Sequence, residues 1–89
     1  MRNLIIQYLT DALQPTYLNL SDESSKHAGH NEAAKGGGTH FDLKIVSAKF
    51  AGKNRVERHR MIYKILDAQL KSQVHALAIT ALSPEEFKH

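Results

Sequence analysis

The chain has no cysteine among its 89 residues, which excludes a disulfide framework, a thiolate metal site and a cysteine nucleophile. It also lacks any apolar run approaching the roughly 18 residues that a membrane span needs. Met1–Leu13 carries Asp11 within it and leads into no small-residue cleavage site, so it does not read as a signal peptide. The expected setting is the cytoplasm or an organelle matrix, without a membrane partner. Complete catalytic motifs are missing too. There is no nucleophile elbow, and the Gly36-Gly37-Gly38 run lacks the Lys-Ser/Thr of a phosphate loop. Asp22, Glu23 and the histidines offer acids and bases in no recognisable catalytic pattern. No catalytic residue is assigned, and an enzyme is not expected.

Acids are scarce where bases are dense. Lys44, Lys49, Lys53, Arg55, Arg58, Arg60 and Lys64 are seven of the twelve Lys and Arg residues, and Glu57 is the one acid between the first and the last of them. That tract nets +6, while the remaining residues hold five bases and eight acids and net −3, in agreement with the overall +3. Charge focused in this way raises the local potential for phosphate or for an acidic protein surface. An ordinary solvated helix face would produce the same pattern.

A length of 89 residues allows one domain with one compact core. Leu4, Ile5, Tyr8, Leu9, Ala12 and Leu13 predict one stripe of a helix over residues 2–14, and Pro15 stops it. Tyr17-Leu18-Asn19-Leu20 alternates as a strand, with Leu18 and Leu20 inward. Residues 21–39 turn polar and glycine-bearing, and within them 24–39 is expected to be the most mobile segment. His40–Ser47 reads as a second strand with Phe41, Leu43 and Ile45 on one face.

A turn at Gly52 leads to a helix from about Asn54 to Lys71, with Val56, His59, Ile62, Tyr63, Leu66 and Leu70 expected to be buried. Val74–Ala81 is a third strand that places His75, Leu77 and Ile79 on one face. Ser83-Pro84-Glu85-Glu86 has the form of a capping box that opens a last short helix. The order αββαβα predicts an α+β domain: a three-stranded mixed sheet, strands two and three parallel if adjacent, and helices on one face.

Several of these stretches together resemble the BolA family. They are Asp22-Glu23-Ser24, Thr39-His40-Phe41, Phe50-Ala51-Gly52-Lys53, Arg58-His59-Arg60-Met61-Ile62-Tyr63 and Val74-His75-Ala76-Leu77-Ala78-Ile79, with Ser83-Pro84-Glu85-Glu86-Phe87 as the tail. They occur in the family's order over roughly residues 2–87. The resemblance implies a fold like the second class of KH domains. The Gly-x-x-Gly loop with which KH modules clamp RNA is missing, which argues against RNA binding of that type. The resemblance also implies an adaptor that binds a monothiol glutaredoxin and shares with it, and with glutathione, a [2Fe–2S] cluster formed only in the complex. The chain alone is then expected to be a folded monomer without metal. Some members of the family are described as DNA-binding transcriptional regulators.

Six histidines are the remaining compositional oddity. His75 occupies the position that matches the family's C-terminal cluster ligand; read from the strand pattern alone, it is a hydrogen-bonded structural residue. Imidazole in place of thiolate on iron raises a cluster's potential, so the implied role is chemically sound. His27 and His30 lie in the loop where the family tends to place a second ligand, with His27 at the family's interval after Asp-Glu-Ser. His40 is a further candidate. His59 falls in the apolar stripe of its helix and reads as a packed core residue, and His89 is terminal. For the alternative role on DNA, Lys53, Arg55, Arg58 and Arg60 follow a turn and open a helix, as phosphate-contacting residues often do.

Overall fold

The computed structural model describes residues 2–23, 40–72 and 76–88. Its elements are α1 (Arg2–Leu13), β1 (Tyr17–Asp22), β2 (His40–Val46), a single 3-10 turn (Ala48–Phe50), α2 (Arg55–Ile65), α3 (Asp67–Ser72), β3 (Ala76–Leu82) and α4 (Pro84–Phe87). The expected loop 24–39, with His27 and His30, lies outside the described residues, as do His75 and His89.

The sheet order is β1-β2-β3, antiparallel between β1 and β2 and parallel between β2 and β3. This is the mixed three-stranded α+β arrangement that the element order implies. The central strand β2 carries the alternation expected of it, with Phe41, Leu43 and Ile45 buried and Asp42 and Lys44 exposed. Leu20 on β1 sits opposite Leu43 and is buried beside it. Ile5, Leu9 and Leu13 of α1 and Ile62 and Leu66 from the second helical region complete the core, together with Phe50 from the 3-10 turn.

The helical stripes are narrower than the sequence suggests. Leu4 and Tyr8 lie on the exposed side of α1, leaving an i, i+4 line of Ile5, Leu9 and Leu13 as its buried edge. In α2 the buried line is Ile62 and Leu66, flanked by the partly buried Met61 and Ile65. Val56 and Tyr63 are 57% and 44% exposed, because this line faces them away from the sheet. The single helix expected to reach Lys71 is interrupted at Leu66, whose φ of −101° and ψ of 19° depart from helical values. Asp67 opens α3 at the helix end where an acid is favoured, and it pairs with Lys71 at 3.0 Å.

Local chemistry sets the ends of the elements. Gln14 takes φ of 47° before Pro15, a position that proline bars from the helical region, and its N–H still closes on the Thr10 carbonyl at 3.0 Å. Gly52 supplies the φ of 77° that the turn into α2 requires. Asn54 caps α2 with a reciprocal capping box to Glu57, and Ser83 does the same for α4 with Glu86. Phe87 of α4 then reaches the outer sheet face, where its ring lies 5.1 Å from Tyr17 and Lys44 Nζ stands 5.4 Å from its centroid.

Two polar knots join these pieces. Ser47 is fully buried at the end of β2. Its Oγ donates to the Leu13 carbonyl at 2.7 Å and accepts from the Lys49 N–H, while its own N–H donates to the Leu82 carbonyl at 3.0 Å. It therefore binds the end of α1 to the end of β3. The second knot is Arg58, whose side chain is 12% exposed. Its Nε donates to the Lys53 carbonyl at 2.8 Å, and Nη1 donates to the Ala81 carbonyl at 2.9 Å and to Glu86 Oε1 at 2.6 Å. Glu86 also accepts from the Ser83 N–H. That backbone bond first, and the Arg58 guanidinium second, hold the Glu86 carboxyl at about 2 against its usual 4.5.

Ser47→Ala should strand the buried Leu13 carbonyl and lower unfolding stability by about 1–3 kcal/mol, read from a shifted urea midpoint at unchanged slope. The depressed Glu86 pKa gives the Arg58 knot an acid-labile contribution. A group with a lowered folded-state value adds stability above its unfolded pKa and loses it as pH falls through the folded one. Stability of the natural protein should therefore fall between pH 4.5 and about 2, and Glu86→Gln should remove that part of the dependence. Denaturation midpoints of the two proteins that stay equally far apart across this window would contradict the assignment.

Candidate functional site

The basic tract does not form one continuous charged face. Lys44 lies over the Phe87 ring on the outer side of the sheet. Lys49 Nζ donates to the Ala12 carbonyl at 3.0 Å, placing a cation at the C-terminal end of α1, where the helix dipole favours one. Arg58 is held by two carbonyls and Glu86. Lys53, Arg55 and Arg60 keep exposed side chains. Of the four residues assigned to nucleic acid, three thus present their charge to solvent and one ties the fold together.

Lys53, Arg55 and Arg58, but not Arg60, border a cleft of about 360 Å³ between the start of α2, the second half of β3 and α4. Lys53, Asn54, Arg55 and His59 form one wall, Glu86 another, and Ile79 to Leu82 the floor. Four consecutive strand residues on the floor mean that the cleft faces the edge of β3, since one face of a strand would contribute alternate residues only. His59 is partly buried and lines this cleft, so it is not the core residue that the helical stripe suggested. The stripe placed it with Val56 and Tyr63, and all three are turned off the core by the same rotation of α2. The capping box at Ser83 was legible in the sequence, whereas the box at Asn54 and the cleft that the two frame come from the structure.

The histidines proposed as cluster ligands fall differently. His75, His27 and His30 lie outside the described residues. His40 opens β2 in register with Ala76, the residue that follows His75 in the sequence. Among the described residues, no group of three or more His, Asp or Glu side chains is arranged to hold a metal ion. Among them, too, no helix is long and apolar enough to cross a membrane.

Comparison with known proteins supplies the rest. The family model described as BolA-like protein matches residues 9–86. The solved BolA domain of SufE1 from Arabidopsis thaliana superposes with a TM-score of 0.84 at 46% identity, covering 94% of this chain and 92% of that one. SufE-like protein 1 (chloroplastic/mitochondrial) of the same plant is 46% identical over 86 residues, which are 92% of this chain but only 23% of that protein. The DNA-binding transcriptional regulator BolA of Haemophilus influenzae is 35% identical over 99% of this chain and 82% of its own length. The sheet order, the two capped helices and the family match over most of the chain agree: this chain belongs to the BolA family of BolA-like proteins.

Proposed function

We propose that the protein is an adaptor that binds a monothiol glutaredoxin and shares a [2Fe–2S] cluster with it, acting in iron–sulfur cluster assembly or iron regulation. The observation that carries this reading is family membership over residues 9–86 in a chain without cysteine. A cluster needs four ligands on its irons. This chain can offer imidazole but no thiolate, which suits a shared cluster and not one held by the chain alone. Thiolates would come from the glutaredoxin cysteine and from glutathione. His75 would supply the imidazole, with His27 or His30 as a second contributor. Replacing thiolate by imidazole raises the potential and loosens the hold on iron, as suits a cluster that is passed on.

A second reading, DNA binding, is favoured by the exposed Lys53, Arg55 and Arg60 at the start of α2 and by the relatives described as DNA-binding transcriptional regulators. Asparagine, glutamine and other base-reading side chains are sparse here, so such binding would rest on phosphate contacts. Affinity should then fall steeply with salt, by close to one logarithmic unit per logarithm of salt for each phosphate contact. Replacing Lys53, Arg55 and Arg60 by alanine should flatten that slope. Arg58→Ala should instead lower unfolding stability. A tight, sequence-selective complex insensitive to salt would overturn this second reading.

For the adaptor, the decisive variant is His75→Ala. Mixed with a monothiol glutaredoxin and glutathione under cluster-reconstituting conditions, it should remain folded. It should lose the histidine-type absorption and circular-dichroism spectrum of the complex, or show that of the glutaredoxin homodimer instead. His27→Ala should have a smaller effect, because His30 can substitute. An unchanged heterocomplex spectrum and cluster lifetime with His75→Ala would make His75 structural and the mechanism wrong.

A further inference from the structure

The strand at the floor of the cleft is an edge. β3 pairs with β2 on one side only, and among the described residues no strand lies on its other side. The direction of its backbone groups follows from two hydrogen bonds. The Leu82 carbonyl accepts from the Ser47 N–H, so Leu82 faces β2. By strand alternation Ala81 and Ile79 direct their N–H and C=O groups outward, and the Arg58 guanidinium on the Ala81 carbonyl agrees. Among the described residues nothing takes the N–H or C=O of Ile79 or the N–H of Ala81. Unpaired edges of this kind are templates for another strand. Arg58 guards one carbonyl, and the groups beside it stay open at the cleft.

The charge around the edge selects the occupant. Lys53, Arg55 and Arg58 face a single carboxylate, that of Glu86, which Arg58 already pairs. We propose that the outer edge of β3 is a docking edge, to which an extended acidic segment of a partner protein adds as a fourth strand. Its main chain bonds to Ile79 and Ala81, and its carboxylates meet Lys53 and Arg55. Strand addition of this sort takes affinity from backbone hydrogen bonds and specificity from the flanking side chains. A nucleic-acid strand fits the site less well. It has no peptide ladder to offer Ile79, and neither Phe nor Tyr lines the cleft for a base to stack on. The inference does not depend on the cluster reading, since it uses neither His75 nor iron.

The test uses isotope-labelled full-length protein and three probes: a blocked peptide of alternating Glu and Val, the same peptide N-methylated at alternate residues, and an oligothymidylate of eight nucleotides. The plain peptide should shift the amide resonances of residues 79–82 and slow exchange of the Ile79 amide by about tenfold or more. N-methylation removes backbone donors without changing charge, and it should weaken binding by at least about tenfold. Charge reversal by Lys53→Glu with Arg55→Glu, both at exposed positions, should weaken the plain peptide similarly while leaving the thermal midpoint unchanged. Equal binding of the plain and methylated peptides would overturn the proposal, because attraction would then be charge alone. So would the absence of shifts at residues 79–82, or oligothymidylate binding there while the peptide does not.

Discussion

The guanidinium of Arg58 donates to carbonyls of two separate segments and to the Glu86 carboxylate, and the mutual placement of α2, β3 and α4 depends on it. Such a cation, with 12% of its side chain exposed, is tolerable only because its N–H groups meet acceptors. Each acceptor belongs to an end that would otherwise fray: the turn before α2, the last residues of β3 and the first turn of α4. Glu86 serves two ends at once, accepting from Arg58 and from the Ser83 N–H that opens its own helix. Removing the arginine would leave the Ala81 carbonyl open as well as the carboxylate unpaired. The cleft, the edge of β3 and the short C-terminal helix are therefore one mechanical unit.

At its C-terminal end the sheet is fastened by Ser47 with neutral hydrogen bonds in the dry interior, and Arg58 acts at the surface with a charge. The difference matters for pH. The Ser47 contacts carry no titrating group, whereas those of Glu86 weaken once its carboxyl is protonated. Acid should thus loosen α4 and the Arg58 side of the cleft before it disturbs the packing of Phe41, Leu43 and Ile45 under α1 and α2. Phe87 would be released with α4, and with it the ring contacts to Tyr17 and Lys44 on the outer sheet face.

Strand alternation and the capping box at Ser83 were legible in the sequence because they depend on neighbours two or three residues away. Phe41, Leu43 and Ile45 took their places for that reason, as did Ser83 and Glu86. The rotation of α2 was not legible, since an arc holding Val56, His59, Ile62, Tyr63 and Leu66 is wide enough to pack in more than one way. Contact with the sheet selected Ile62 and Leu66, and His59 was left at the cleft. Nor could a count of lysines and arginines separate Lys49 and Arg58, which hydrogen-bond distant carbonyls, from Lys53 and Arg55, which face solvent. Their partners lie from 5 to 37 positions away in the chain. The family resemblance was readable because its motifs are local, and it carries the assignment of His75 beyond what the described residues display.

The two ends of β3 can serve different purposes without interfering. His40 and Ala76 open β2 and β3 together, and His75, for which cluster chemistry is proposed, precedes Ala76 in the sequence. The cleft lies against Ile79 to Leu82, and at roughly 3.3 Å per residue these sit about 10–20 Å further along the strand. That spacing is at or beyond the Debye length of about 8 Å at physiological salt. Cations of the cleft are thus largely screened from the sheet end at which His40 and Ala76 lie. Acid acts on the cleft through Glu86, whose protonation frees Arg58 and changes the local charge. A partner strand along the edge of β3 would run between these ends, so that contact at the cleft could orient a protein whose thiolates reach the other end. On the proposed reading the basic residues would position the partner and the histidines would meet its cargo.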